Sequence, residues 1–457
     1  MSHRRRSRKL SEVSYATDGG SAGARPTRRA PHVYSPAARH APAWHDPDRR
    51  NLRTWRQLIL AVLVQRSSRL LTVAQALLPQ RTAHSVKALA VSLGYFLRTA
   101  KCPVATLSPC LLAAALQRLD ARHLVRVQGK ALLVLDPTEY PKRGRGQGQR
   151  DRQMQHLGRV RNAKGKRSGT QAGYVDVWAG VVLRGKRFLP LARRLFSSTH
   201  PDVASQNQVE EAVLTAALQT VNDCGLDAII VADRGLGRKA LLIQLAQQER
   251  DFVIRLDADI TARDGRTGWE GNLAALLAQQ PWLGEVLWDR GEAGKLVCRA
   301  RKVRAQISYT TGRKAATIRA WMTFLELAPV DGQHAPLVLA TSFWVRTRTD
   351  AQGMAHSSSQ RWAIETAFET MKAWGLEQFM VRQWAAIERL LWIVAVAYAL
   401  ATRALYLATL GRLREQAHRV LRQWGAVKRW LTVGKVAEAL GYDYHPHPRA
   451  WTRVWIQ

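Results

Sequence analysis

The hydrophobic positions of this chain change period along its length. From Trp55 to about Val125, apolar residues recur three and four apart, as in "WRQLILAVLVQRSSRLLTVAQALL" and "SVKALAVSLGYFLRTA", which is the spacing of amphipathic helices. Short apolar runs then take over. "ALLVLD" (131–136) and "DAIIVAD" (227–233) read as buried strands that each end in an acid. "GYVDVWAGVVL" (173–183) and "KRFLPLARRLF" (186–196), joined by "RG", read as a hairpin rich in β-branched and aromatic residues. Helices follow at "QVEEAVLTAALQTV" (208–221) and "RKALLIQLAQQ", with the strand "DFVIRL" after them. Strand, hairpin, helix, strand, helix, strand predicts an α/β fold built on a mixed sheet flanked by helices.

Between about 257 and 345 the alternation suits short antiparallel strands: "GEVLWDR", "GKLVCRARKVRA", "AATIRAWMTFLEL" and "PLVLATSF". Helices return from about 357 and end in the apolar run "LLWIVAVAYALAT", followed by "GRLREQAHRVLRQWGAVKRWL". These shifts divide the chain into a basic disordered arm (1–50), a helical domain (51–128), a first core segment (129–256), a β-rich insertion (257–350), a second core segment (351–410) and a basic helical tail (411–457). The arm carries 11 Arg/Lys against 4 Asp/Glu, with Pro, Ser and Gly between them.

Charge narrows the partners. Seventy Lys+Arg against 34 Asp+Glu give a net charge of +36 and a pI near 11.2. A field of that size favours a polyanion, either nucleic acid or an anionic membrane surface. The apolar run Leu390–Thr402 spans 13 residues between Arg389 and Arg403, short of the ~20 that a transmembrane helix needs, so it reads as a buried core helix and no membrane partner is expected. The basic N-terminus lacks the apolar segment of a secretory signal. Cys102, Cys110, Cys224 and Cys298 have no CxxC spacing, which gives neither a zinc site nor a disulfide framework and fits a reducing cytoplasm. No GxxxxGK[ST] or HExxH pattern occurs, so nucleotide-driven motors and zinc proteases lack their usual support, and the GxSxG match at 19–23 falls in the basic arm rather than between a strand and a helix.

The candidate chemistry is carboxylate chemistry. Asp136 and Asp233 end two strands expected side by side, and side chains at strand ends project into the crevice where α/β sites form. "DPTEY" as a turn and "DRG" as a capped helix start are the structural alternatives. In "RWAIETAFETMK" (361–372), a helix at about 100° per residue brings Glu365 and Lys372 onto the same side as Arg361. A surface salt-bridge ladder gives the same pattern. Three carboxylates repel one another unless divalent cations bind, and hard oxygen ligands suit Mg²⁺ or Mn²⁺.

The order "LLVLD", then "IIVADRG" with its acid 97 residues after the first, then "RWAIE" with its acid a further 132 residues on, resembles the DDE transposases of bacterial insertion sequences, in the insertion-sequence-four-like branch. The resemblance covers roughly 130–410. It implies an RNase H-like catalytic core with a β-rich insertion between the second Asp and the Glu, and a helical N-terminal DNA-binding domain. It also implies Asp136, Asp233 and Glu365 as catalytic and metal-holding residues for two Mg²⁺ ions, with Mn²⁺ as a substitute. Double-stranded DNA would be the partner, at transposon ends and target, with a homodimer in the synaptic complex and a cytoplasmic, nucleoid-associated location. The family's helix motif has Tyr three residues before the Arg, where this chain has Ser358. Arg361 and Lys372 match at the right spacing, and the resemblance gives them phosphate contacts.

The segment 140–169 holds ten Lys/Arg and one acid shortly after Asp136. Such a loop would track a DNA backbone, with Lys142 and Arg143 nearest the strand end, although solvation of a long loop explains its composition equally. Trp269, Trp282, Trp288, Trp321 and Trp344 lie in the insertion. Hairpin-forming relatives stack an insertion tryptophan on a flipped base; tryptophans at these spacings also serve as core. His156 and the C-terminal "HPHP" are better explained as exposed polar loops than as metal ligands. The expected activity is cut-and-paste transposition. The readings beside it are a catalytically silent DNA-binding descendant and a basic RNA-binding protein.

Overall fold

In the computed structural model, the described residues are 46–78, 85–99, 104–142, 154–161, 169–202, 205–311 and 316–406, with 433, 436 and 437. The basic arm up to residue 45, Arg143 and most of the tail after 406 lie outside them. The helical opening is α1 (Asp46–Gln65), α2 (Leu70–Leu77), α3 (Val86–Thr99) and α4 (Val104–Gln117). The sheet then begins with β1 (Arg126–Val127), β2 (Lys130–Pro141), β3 (Gly158–Arg161), β4 (Thr170–Leu183) and β5 (Arg187–Phe196). Helix α5 (Gln206–Asp223), strand β6 (Ala228–Ala232), helix α6 (Lys239–Gln247) and strand β7 (Asp251–Leu256) complete the first core segment. Next come β8 (Thr261–Asp264), β9 (Glu270–Asn272), α7 (Leu273–Ala278), β10 (Trp282–Asp289), β11 (Lys295–Thr311), β12 (Ala316–Pro329) and β13 (Leu337–Thr341). Helices α8 (Arg348–Ser359), α9 (Trp362–Ala373) and α10 (Trp384–Ala404) follow.

The strands of the described residues form one hydrogen-bonded sheet. β5, β4 and β2 pair antiparallel in that order, and β6 and then β7 continue parallel to β2. Ala131 to Leu135 of β2 are all buried, because helices cover both faces where parallel pairs occur; a strand in that position reads as an uninterrupted apolar run. The insertion strands do not stand apart. β13 pairs antiparallel with β7, β12 with β13 and β11 with β12, so the insertion prolongs the core sheet.

The parallel register sets up the site. Leu135 lies opposite Ala232, which makes Asp136 and Asp233 the next pair along it. Adjacent strands are about 4.8 Å apart, so two acids emerge side by side where the apolar runs stop. Gly237 closes the turn after Asp233: a Cβ there would sit 2.5 Å from the Arg255 carbonyl of β7, a distance that admits only glycine without a backbone shift.

The apolar run becomes α10, which is longer than the run itself. By length and composition it could cross a membrane, yet most of it is buried within the fold. It packs against α1, α3, α4 and β5, so the helical opening is docked onto the core through it. Arg389 donates to the Leu97 carbonyl at 2.7 Å, and Ser68 donates to the carbonyl of Gly375 at 2.6 Å. Gly375, at φ +82°, reverses the chain after α9, a conformation that costs a side-chain-bearing residue.

A charged network is buried beneath the sheet. Arg193 of β5 donates to Asp176 of β4 at 2.7 Å and to Glu388 of α10 at 3.0 Å, with no exposure of the Arg193 or Asp176 side chains. Tyr140 of β2 donates to the other Asp176 oxygen at 2.9 Å, and the guanidinium lies against Trp178 and Trp392. Four elements are therefore fixed to one another by charge-assisted hydrogen bonds. Asp176→Ala leaves Arg193 buried without its main counter-charge and is expected to destabilise the protein by about 3–5 kcal/mol. Lys186→Ala, which breaks the partly exposed pair with Asp289, is expected to cost about 1 kcal/mol or less. Urea denaturation of both variants measures the difference; similar midpoints would contradict the assigned role of the network.

Candidate active site

The candidate site is built from three elements. Strand β2 passes through it and runs on to Pro141, instead of ending at Asp136 as expected, because it stays paired with β4. Strand β6 ends there, and α9 begins there. Asp136 stands in β2 and Asp233 directly follows β6. Glu365 lies in the first turn of α9, where a carboxylate is favoured by the helix dipole. Trp178 lies opposite Asp136 on β4 and meets Phe368 of α9 edge-on at 6.1 Å. Phe368 is three residues after Glu365, so this aromatic contact fixes the part of α9 that carries the acid.

The three carboxylates converge on one cation. Arg361 lies 2.5 Å from Glu365, 3.3 Å from Asp136 and 3.9 Å from Asp233, and its side chain is 14% exposed. Arg255, at the end of β7, adds a second positive charge 3.9 Å from Asp233. Burial opposes the Arg361 cation, but Asp233, Asp136 and Glu365 outweigh it and hold its pKa above the usual value. Burial also pushes the Asp136 carboxyl up to about 7; Arg361 counters the rise, and the charges of Asp233 and Glu365 add to it.

The donor set matches a hard divalent cation in chemistry: three carboxylates, with Oδ1 of Asp233 buried and lacking a hydrogen bond. In spacing the acids are held apart around the guanidinium, and among the described residues no three His, Cys, Asp or Glu side chains are close enough to share an ion.

The other expected contacts divide. Lys372 is one-third exposed and pairs with Glu377 at 2.8 Å. Lys142, expected to face DNA, is turned inward. Its ammonium donates to the Glu377 carbonyl at 2.8 Å and lies over the Phe379 ring, which ties the end of β2 to the segment after α9. Arg143 is outside the described residues.

Beside Asp233 lies a cavity of about 170 Å³ lined by Arg255, Trp288, Arg290, Ser358, Arg361 and Trp362, among others. Ser358 at the tyrosine position thus borders the site, and of the five insertion tryptophans Trp288 is the one in the cavity wall. Arg255 was recoverable from the sequence, since "DFVIRL" is a strand expected beside the one ending in Asp233. Arg290 had no such signal; it arrives from the turn after β10 through long-range pairing.

Residues 197–400, just under half of the chain, match the family model described as the transposase DDE domain. This supports a DDE transposase. The matched span contains Asp233, Arg361, Glu365 and Lys372, and begins after Asp136. No curated protein matches the chain.

The raised Asp136 pKa has a consequence for stability. Its ordinary value is near 4, so keeping it ionised in the fold costs most above about pH 7 and progressively less as the pH falls toward 4. In EDTA, Asp136→Asn is therefore expected to raise the melting temperature by about 2–5 °C at pH 8 and by less at pH 5. A melting temperature at pH 8 equal to or below that of the native protein would contradict the buried-charge account.

Proposed function

We propose that the chain is a DNA transposase of the DDE type, which cuts at terminal inverted repeats and joins the freed 3′-hydroxyl to target DNA. The observation that carries this reading is the meeting of Asp136, Asp233 and Glu365 around Arg361 at one sheet edge, in a chain of which residues 197–400 match the transposase DDE domain. The strand order β5-β4-β2-β6-β7, three antiparallel strands followed by two parallel ones, supports an RNase H-like core. The acid order and the helix motif support the insertion-sequence-four-like branch.

Asp136, Asp233 and Glu365 would hold divalent cations, two Mg²⁺ or Mn²⁺. When bound, these supply activation of the attacking water or 3′-hydroxyl and stabilisation of the leaving oxygen. Arg361 neutralises the acids while they are otherwise uncompensated. Once their charge is balanced, its fork of donors is released toward a phosphate of the scissile strand. Lys372, one-third exposed on the same helix, exchanges Glu377 for a neighbouring phosphate. The cavity beside Asp233 offers Trp288 as a stacking face and Arg290 as a phosphate partner for a nucleotide drawn out of the duplex. One active site serves each transposon end, so the working form is a homodimer in the synaptic complex.

Incubating the protein and Mg²⁺ with a plasmid that carries its gene and flanking DNA tests this function. Double-strand cuts at fixed flanking positions are expected. Glu365→Gln should lower cutting by at least about a thousandfold, as loss of a catalytic group does, while leaving DNA affinity within about threefold. Specific binding without cutting, in Mg²⁺ or Mn²⁺, would instead identify a silent descendant. Cutting by Glu365→Gln at the normal rate would overturn the assignment of the triad.

A further inference from the structure

We infer that the outer face of the β11–β12 ribbon is a second surface for double-stranded DNA, separate from the catalytic edge. The location follows from register. Leu337, in the cavity wall, begins β13, and Thr341 ends it. Thr341 is paired with Thr323, and Thr323 with Arg304. The row of Arg304 is thus four residues, about 13 Å, along the strand axis from the cavity, and the row of Ser308 and Arg319 is about 27 Å along it. Beyond Thr323, β12 has no β13 partner, while β8 pairs with β11 at Ala305 and Gln306, so the ladder narrows to β11 and β12 alone from the Ile307–Ala320 row onward.

The two faces of this ribbon differ in chemistry. Val303, Ala305, Ile307, Ala320 and Met322 are buried on one. Arg304, Arg319 and Trp321 share the other, and Trp321 is 42% exposed. Trp344, 55% exposed, follows β13 on the same side and carries the guanidiniums of Arg304 and Arg346 at 5.3 and 5.8 Å from its ring centre. Stacking on an indole orders both arginines, and one Arg304 nitrogen is directed at the Thr323 hydroxyl 3.4 Å away.

What these arginines lack distinguishes the cluster. Among the described residues Arg304, Arg319 and Arg346 take part in no ion pair. The nearby Asp350 carboxylate is engaged with the backbone N–H groups of Arg346 and Thr347. A second Trp–Arg cluster makes the contrast: Trp282 also has two arginines over its ring, but Arg301 there donates to Glu326 through Nε and Nη2 and to the Ala278 carbonyl through Nη1. At the flank, Arg263 stands across from Glu270 and adds little net charge. Three guanidiniums without an ion pair, two on β11 and β12 and one in the segment after β13, complement a polyanion in a chain of charge +36. A row of arginines spread along the strand axis follows the regular phosphate spacing of a duplex backbone and contacts it without reading bases. Set 13–27 Å along the sheet from the cavity, the face would hold a stretch of duplex other than the one at the acids.

The inference shares the DNA partner of the proposed function but not its chemistry, and its test needs no cleavage. The full chain is titrated with a 60-bp duplex of arbitrary sequence over a range of salt, beside the triple variant R304A/R319A/R346A and its lysine counterpart R304K/R319K/R346K. The alanine variant is expected to bind about ten- to a hundredfold more weakly near 0.1 M salt. Its slope of log affinity against log salt should be flatter by about three, one counterion per lost phosphate contact. The lysine variant should keep the native slope. Unchanged slope and affinity in the alanine variant, at an unchanged melting temperature, would overturn the inference. So would a fall in oligomeric mass by sedimentation with the slope intact, which would make this face a contact between copies of the chain. Loss of cleavage in the native protein, with the slope change still present, would sink the transposase reading and leave this surface standing.

Discussion

Three carboxylates that share one poorly solvated sheet edge cannot all remain charged without a cation among them. In this chain Arg361 is that cation, and much of the architecture around the site serves to bring it there. Arg361 caps α9, so the residue that neutralises the cluster and the helix that carries Glu365 are parts of one rigid piece. The balance is incomplete. Asp136 remains far above its usual pKa because burial outweighs what one guanidinium returns, and the other two acids add to the cost. A site in this state stores electrostatic free energy that additional positive charge would release. That is a physical reason for an anionic cluster to be kept in a fold whose stability it lowers.

The rest of the core holds that cluster in register. The parallel pairing of β2 with β6 sets Asp136 beside Asp233, and the Trp178–Phe368 contact sets the height of α9 above them. Arg193 ties β4, β5 and α10 together from beneath through Asp176 and Glu388. Lys142 belongs to the same scheme. With its ammonium on the carbonyl of Glu377 and its chain over Phe379, it connects the end of β2 to the turn after α9. A lysine in a basic loop reads as a nucleic-acid contact until the fold assigns it a buried acceptor.

Much of this was legible in the sequence because it is local. The apolar runs before Asp136 and Asp233, the helix carrying Arg361 and Glu365, and the four insertion strands β10 to β13 all follow from period and punctuation, and the structure has each of them, although β2 continues past Asp136 to Pro141 because Pro137–Pro141 stay paired with β4. What sequence reading missed depends on pairing between distant segments. Nothing in "GEVLWDRGE" announces that Arg290 ends beside Asp233, since that depends on β10 pairing with β11 and β11 reaching β7 through β12 and β13. That the β-rich insertion prolongs the core sheet had no signal for the same reason, as composition cannot reveal that β13 takes β7 as its partner. Asp176 was a buried charge with a visible signal, an acid inside the apolar run "GYVDVWAG"; its partners Arg193 and Glu388 had none.

Continuity of the sheet changes what the insertion can do. A separately folded β module would move against the core and could carry a bound strand with it. Strands hydrogen-bonded in sequence from β2 through β6, β7, β13 and β12 to β11 instead form one twisted plate. A charge on the far ribbon is therefore held at a nearly fixed distance from the acids. If both ends of that plate contact DNA, the spacing between the contacts is set by the sheet and not by a linker. A substrate long enough to reach both is then selected by its path as well as by its sequence, because only a duplex that follows the plate satisfies both sets of phosphate contacts at once.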